Sequence, residues 1–186
     1  MSHFGTYRLR PMKEKDLEKV LGWRNSERIR SNMFSSHIIT LDEHRAWFKS
    51  LTQKKKDIYM IFERENLPLG VVYFTNINFI NNTCNWGFYL GEENLPKGTG
   101  LIMGYLGINY AFEDLKMNLL SGEVLSFNIP SINYHKKLGF VKKNSSKSKI
   151  LREGRYYEVT CFDISKNRWE FEKRKLKYFL TVGDKL

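Results

Sequence analysis

The stretch from Asn85 to Phe140 constrains this chain more than any other. An aromatic strand, Trp86–Leu90, leads to Lys97-Gly98-Thr99-Gly100, a helical segment to about Phe112 and an alternating strand over Leu119–Phe127. The run Asn128-Ile129-Pro130-Ser131-Ile132-Asn133-Tyr134-His135-Lys136-Lys137-Leu138-Gly139-Phe140 follows. A glycine loop between strand and helix turns backbone N–H groups toward the positive end of the helix dipole, which suits a pyrophosphate. Taken alone, Gly98-x-Gly100 reads equally well as a structural turn. The next element shifts that balance, because a strand joined to its predecessor by a right-handed helical crossover is its parallel neighbour. Parallel strands that splay leave a slot of unpaired backbone groups, which a long amide-bearing ligand fills like an added strand. Asn128 stands at the mouth of that slot. Ile129-Pro130 leads into a helix over Ser131–Leu138, ended by Gly139.

Before this centre, Tyr7–Arg10 is a strand stopped by Pro11. Leu17, Val20 and Leu21 share a helical stripe that begins at Asp16 and closes at Trp23-Arg24-Asn25. Arg24 on or beside that stripe has two readings: a stem covering the core, or a fork of donors aimed at a phosphate or sugar oxygen. Ser26–Ile39 is irregular and, with Met33 and Phe34, suits a lid over a partly apolar ligand. Thr40-x-x-Glu43 is a capping box that starts a helix from Leu41 to about Leu51, with His44, Trp47, Phe48 and Leu51 inward. His44 there is a satisfied structural residue or a ligand. Asp57–Glu63, Leu69–Phe79 and Thr83–Leu90 form an antiparallel meander turned at Glu65-Asn66 and Asn81-Asn82. Gly70 marks a bend or bulge, and Gly87 a bulge or a close backbone approach.

After it, Lys142–Lys149 reads as a polar loop and Arg155–Ile164 as the strand that completes the sheet. Trp169–Leu180 reads as a terminal helix packed on the body, although its apolar positions do not resolve onto one face. The 186 residues, 41% apolar and 15% aromatic, are enough for a single domain over 1–186 with a helical tail at 166–186. A formal net charge of +11 favours an anionic partner and repels a polyamine. The basic clusters at Lys54–Lys56, Lys142–Lys149 and Arg168–Lys177 read as solvated surface. Helix-turn-helix, zinc and aromatic nucleotide-binding signatures are lacking, so nucleic acid is not the expected partner. No apolar run reaches the roughly 18 residues of a membrane span, and no apolar leader opens the chain. Cys84 and Cys161 have no metal-ligand spacing and read as buried thiols, giving a cytoplasmic expectation.

The chain resembles the GCN5-related N-acetyltransferase superfamily over nearly all its length. The acetyl-CoA loop of that family, Gln/Arg-x-x-Gly-x-Gly/Ala, is matched by Lys97, Gly98, Thr99, Gly100, Leu101 and Ile102, with Lys97 and Ile102 departing from it. Its second signature is matched by Asn128, Ser131, Gly139 and Phe140. His135 stands at the position of the family tyrosine that protonates the CoA thiolate, and Tyr134 lies one residue early. The resemblance implies an α/β fold of the acyl-CoA N-acyltransferase type: a central, mostly antiparallel mixed sheet, splayed between two parallel strands and flanked by helices. It implies acetyl-CoA as co-substrate, held by Phe88, Leu90, Lys97, Gly98, Thr99, Gly100, Leu101, Asn128, Ser131 and His135. Glu123 becomes the base for the amine, and His135 or Tyr134 the acid.

Trp23-Arg24-Asn25, Met33-Phe34, His44, Thr75-Asn76-Ile77-Asn78-Phe79 and Gly87-Phe88-Tyr89 carry a narrower resemblance, to bacterial pseudaminic acid pathway acetyltransferases. It implies a UDP-linked 4-amino-4,6-dideoxy sugar as acceptor, with Arg24 and His44 at the diphosphate and Met33, Thr75, Asn76 and Tyr89 around nucleotide and sugar. A protein N-terminal acetyltransferase of the ribosomal type and a non-catalytic acetyl-CoA binder are the alternatives. A homodimer is one assembly open to it, the sequence leaving the oligomeric state unfixed.

Overall fold

The computed structural model describes residues 6–54, 57–143 and 148–182. Parts of the basic runs at Lys54–Lys56 and Lys142–Lys149, and the end of the expected tail, lie outside these residues. The elements run in the order β1 (Tyr7–Pro11), α1 (Leu17–Asn25), α2 (Glu27–Arg30), α3 (Leu41–Lys54), β2 (Ile58–Arg64), β3 (Leu67–Asn78), β4 (Thr83–Leu90), α4 (Thr99–Asn109), β5 (Leu119–Leu125), α5 (Ile129–Lys137), β6 (Val141–Lys142), β7 (Ser148–Arg152), β8 (Arg155–Ser165) and α6 (Lys166–Val182).

The strands form one mixed sheet in the order β1-β2-β3-β4-β5-β8-β6, with β7 on β8. Strand alternation sorts their side chains into two cores. Met60, Phe62, Val72, Phe74, Trp86, Leu120 and Phe162 face α4 and α6. Ile61 and Val71, with Tyr59, Tyr73 and Tyr89, face α1 to α3.

One break in this sheet makes the site. β4 and β5 are the parallel pair, and they pair only from Thr83–Leu119 to Trp86–Gly122. Beyond that point β4 follows β3 to Leu90, while β5 follows β8 to Leu125. The two arms fork, and the β4 edge from Gly87 to Leu90 faces an opening instead of a strand.

Local sequence explains most boundaries. The Thr40–Glu43 box forms in both directions, Thr40 N–H to the Glu43 carboxylate at 2.7 Å and Glu43 N–H to Thr40 Oγ1 at 3.2 Å. The bulge expected at Gly70 lies beside it, where the pairing shifts between Phe62 and Glu63 and passes over Leu69. Gly87 is not a bulge, since it pairs regularly with Tyr73; a Cβ there would lie 2.1 Å from Tyr73 Cζ, so its missing side chain makes room for that ring while its backbone stands at the opening. The irregularity of this pair falls instead between Thr75 and Asn78, with Asn76 at φ +51°.

Three readings change. The irregular Ser26–Ile39 stretch opens with the short helix α2. The expected Lys142–Lys149 loop contributes residues to β6 and β7, and β7 turns into β8 through Glu153-Gly154, at φ +51° and +74°. α6 has one buried stripe, Trp169, Leu176 and Leu180. Exposed Phe171, Tyr178 and Phe179 on the remaining surface blur that stripe in the sequence.

Candidate active site

A cavity of about 810 Å³ passes through the fork and is lined from both faces of the sheet. On the α4 and α5 side its walls are Trp86, Phe88, Leu90, Gly100, Asn128, Ser131, Tyr134 and His135. On the side of α1 to α3 they are Arg24, Arg28, Met33, His44, Trp47, Tyr59, Tyr73 and Tyr89, and Glu123 also lines the passage. Two chambers joined at a gap in a sheet suit a reaction between two ligands that enter from opposite faces.

The first chamber fits acetyl-CoA. Gly98 caps α4 at φ +93°, a left-handed conformation that costs a side-chain-bearing residue about 1–2 kcal/mol. The turn is held by Thr99, whose N–H and hydroxyl both donate to Pro96 O, at 3.1 and 2.7 Å. It leaves the N–H groups of Gly98, Gly100 and Leu101 without a backbone acceptor among the described residues. Such a helix start takes a phosphate, and the open β4 edge takes an amide-bearing arm. Lys97, Gly98, Thr99 and Leu101 do not line the cavity; Lys97 is exposed, Gly98 half-buried, and Thr99 buried as the structural pin of the turn. Asn128 caps α5 by accepting from the Ser131 N–H at 3.1 Å, so both residues hold the mouth of the fork.

The two acid candidates differ sharply. His135 is buried among aromatic rings, stacked on Phe162 at 5.1 Å and edge-on to Phe140 at 5.0 Å. Its Nδ1 lies 2.8 Å from Ser131 O, and a carbonyl only accepts, so Nδ1 carries the hydrogen. Burial pushes its pKa down to about 4 against that hydrogen bond, so the ring is neutral and the unpartnered Nε2 is a bare acceptor. A group in that state has no spare proton to give, which argues against the acid role expected of His135. Tyr134 lines the cavity and bears a hydroxyl proton, donated to Gly100 O in the first turn of α4. Burial raises its pKa, so it stays protonated at neutral pH.

In the second chamber the Arg24 Nη2 donates to Ser35 O at 2.7 Å, while Nη1 is buried without a partner. Burial lowers the Arg24 pKa, and the guanidinium faces Tyr89, Tyr73, Tyr59 and Arg152. Arg24 is half-buried and lines the cavity. His44 stacks on Trp47 at 4.9 Å, and its Nε2 is buried with no partner. Burial and Arg24 lower its pKa, so it too is neutral. Met33 and Tyr89 line the chamber as expected, but Thr75 and Asn76 do not. Thr75 pairs with Asn85 below the fork, and Asn76 sits in the bulge beyond it, so the strand carries both past the opening. Tyr59, Tyr73 and Trp47 were not singled out as site residues, because aromatic residues in strands and on helix faces read as core. Their signal is the shared face: Tyr59 and Tyr73 are a cross-strand pair stacked at 5.0 Å, opposite Gly87.

Cys84 is buried and Cys161 half-buried. Among the described residues no helix is long and apolar enough to cross a membrane.

Comparison with known proteins agrees with this geometry. The acetyltransferase (GNAT) domain family matches residues 7–141. The chain is 29% identical over 147 residues to the prophage-derived uncharacterized N-acetyltransferase YokL of Bacillus subtilis (strain 168), covering 77% of this chain and 82% of that protein. It is 32% identical over 130 residues to the acetyltransferase PseH of Campylobacter jejuni strain 81-176, covering 69% and 79%. Among solved structures, spermidine N-acetyltransferase from Vibrio cholerae in complex with CoA and spermine superposes with a TM-score of 0.81 over 89% of this chain and 99% of that one, at 19% identity, a likeness of fold. The forked sheet, the open helix start and these matches have one meaning: the chain belongs to the GNAT family and is an N-acetyltransferase that uses acetyl-CoA.

Proposed function

We propose that the acceptor is the 4-amino group of a UDP-linked 4-amino-4,6-dideoxy sugar, acetylated by direct attack in a ternary complex. The charge of the second chamber carries this reading. A polyamine needs carboxylates around it, and this cavity offers Glu123 and a Glu43 whose Oε2 already accepts from the N–H and hydroxyl of Thr40. Against them stand Arg28, whose Nη1 and Nη2 donate to Leu90 O and Gly91 O, and Arg24, which keeps a donor with no partner among the described residues. A diphosphate satisfies such donors, and the aromatic walls at Trp47, Tyr59, Tyr73 and Tyr89 suit a base or sugar face. The motifs shared with pseudaminic acid pathway acetyltransferases support the same acceptor.

Acetyl-CoA supplies the activated acetyl group as a thioester. Glu123, exposed at the passage between the chambers, takes the proton of the acceptor ammonium directly or through water. Backbone N–H groups on the open β4 edge donate to the thioester oxygen as charge develops there. As the C–S bond breaks, Tyr134 passes its hydroxyl proton from Gly100 O to the departing sulfur and is reprotonated, through water, by the second proton that the attacking nitrogen sheds on becoming an amide, while His135 supports the wall beneath it as a neutral aromatic spacer. Arg24 and His44 hold the acceptor rather than the reacting atoms.

Steady-state kinetics of Arg24→Ala with the UDP-sugar tests this assignment. Removing a charge-assisted contact worth about 1.5–3 kcal/mol raises the acceptor KM roughly 10- to 100-fold. The KM for acetyl-CoA stays unchanged. An unaltered acceptor KM would remove Arg24, and with it the diphosphate, from the second chamber.

A further inference from the structure

The loop from Ser31 to Ile39 carries much of the second chamber's outer wall, since Met33, Phe34, Ser35, His37 and Ile39 all line the cavity. It has little backbone bonding of its own, and side chains hold it by its carbonyls. From within the same arm of the fork, Arg24 donates to Ser35 O and Arg30 to Ser36 O, both at 2.7 Å. Asn25 clasps Ile39 in both directions, at 2.8 and 2.9 Å.

Further ties come from the opposite arm. Arg152, the last residue of β7, donates through Nη1 to Ser31 O at 2.7 Å and Met33 O at 3.1 Å. Glu153, in the adjoining turn, accepts from the Ser36 hydroxyl. The tip is a tight hairpin in which Arg152 pairs with Arg155, and the Arg152 guanidinium lies 5.8 Å from the Tyr157 ring. This hairpin is built on β8, which pairs with β5, whereas the loop belongs to the helices on β1 to β4. Arg152 therefore bridges the two arms where β4 and β5 have parted.

We infer that Arg152 is a positioning residue for the acceptor: by gripping the Ser31 and Met33 carbonyls it ties the β5 arm to the loop and sets the width of the second chamber. It does not line the cavity and acts through Met33 and Phe34. Both bonds leave the one Nη1, whose N–H groups are fixed in the guanidinium plane, whereas a lysine ammonium is a point donor on a flexible stem. The inference rests on assigning this chamber to the acceptor, whichever amine it takes.

The test compares wild type, Arg152→Ala and Arg152→Lys with any amine the wild type acetylates. The acceptor KM rises about tenfold or more in Arg152→Ala, is not restored by lysine and is partly restored by millimolar guanidinium. The KM for acetyl-CoA and the thermal midpoint hold. Tryptic cleavage at Arg30, beside the loop, accelerates in Arg152→Ala, a readout that needs no acceptor and so survives failure of the sugar assignment. An unchanged acceptor KM with unchanged cleavage overturns the inference. So does an equal rise in both KM values with a lower midpoint, which marks general destabilisation.

Discussion

At the scale of single residues, the same physics separates the groups that do chemistry from those that support it. His135 and Tyr134 are chain neighbours, and each gives its one proton to a backbone carbonyl, His135 Nδ1 to Ser131 O and the Tyr134 hydroxyl to Gly100 O at the cavity wall. The depressed pKa of His135 has a consequence for stability: the unfolded chain binds a proton near pH 6.5 and the folded one only near pH 4. Its contribution is present above pH 6.5 and lost as pH falls toward 4, a loss on the order of 3 kcal/mol. His135→Phe keeps the ring stack on Phe162 and removes the titration. Urea unfolding at pH 7.5 and 4.5 then shows a smaller acid loss than wild type; equal losses in the two proteins would show that His135 is not buried as a neutral ring. Glu123, Asn128, Ser131 and Tyr134 were legible in sequence because motif spacing fixes them relative to the fork. Thr75 and Asn76 were misplaced because the opening begins only past Trp86 and Gly122: Thr75 pairs with Asn85 below it, and Asn76 lies in the irregularity beyond Thr75. Tyr59 and Tyr73 were missed because their role follows from Gly87, whose missing side chain is explained only by the ring opposite it.

At the scale of elements, the alternating strands and the Thr40–Glu43 box were readable because their causes are local. The β7–β8 hairpin was not, since a polar, lysine-rich run hides a strand whose partners lie on β8. The face of α6 was obscured by Phe171, Tyr178 and Phe179, which are as apolar as the buried Trp169 but point to solvent. Trp169 also donates to Asn109 Oδ1 at 2.9 Å, linking α6 to the end of α4. The start of α4 depends on one backbone angle. Gly98→Ala places a Cβ at φ +93°, so the turn either strains or relaxes away from the arrangement that frees its N–H groups. The expected outcome is a loss of about 1–2 kcal/mol in stability and an acetyl-CoA KM raised several-fold, with the acceptor KM unchanged. Calorimetry and initial rates check it; a selective change in the acceptor KM would mean that this turn serves the other chamber.

At the scale of the whole molecule, function follows from a single topological event. Two parallel strands part after Trp86 and Gly122, and the sheet then offers a thioester arm on one face and an amine on the other. The family match ends at residue 141, yet β8 pairs along all of β5 and α6 packs on α4, so the later segments complete the β5 arm. The likeness of fold to a spermidine N-acetyltransferase leaves the acceptor open, because the second chamber's side chains, not the sheet, choose it. The proposed choice rests on Arg24 and the aromatic walls, within a chain of net charge +11. The most direct measurement is acetyl transfer by the purified protein, followed by CoA thiol release and product mass, against UDP-linked 4-amino sugars, spermidine and a peptide amine, for wild type and Glu123→Gln. The account predicts rapid turnover with an amino sugar alone and a fall of about 10²- to 10⁴-fold in Glu123→Gln, the span of a lost general base. Turnover of spermidine or the peptide with none of any UDP-sugar would contradict it.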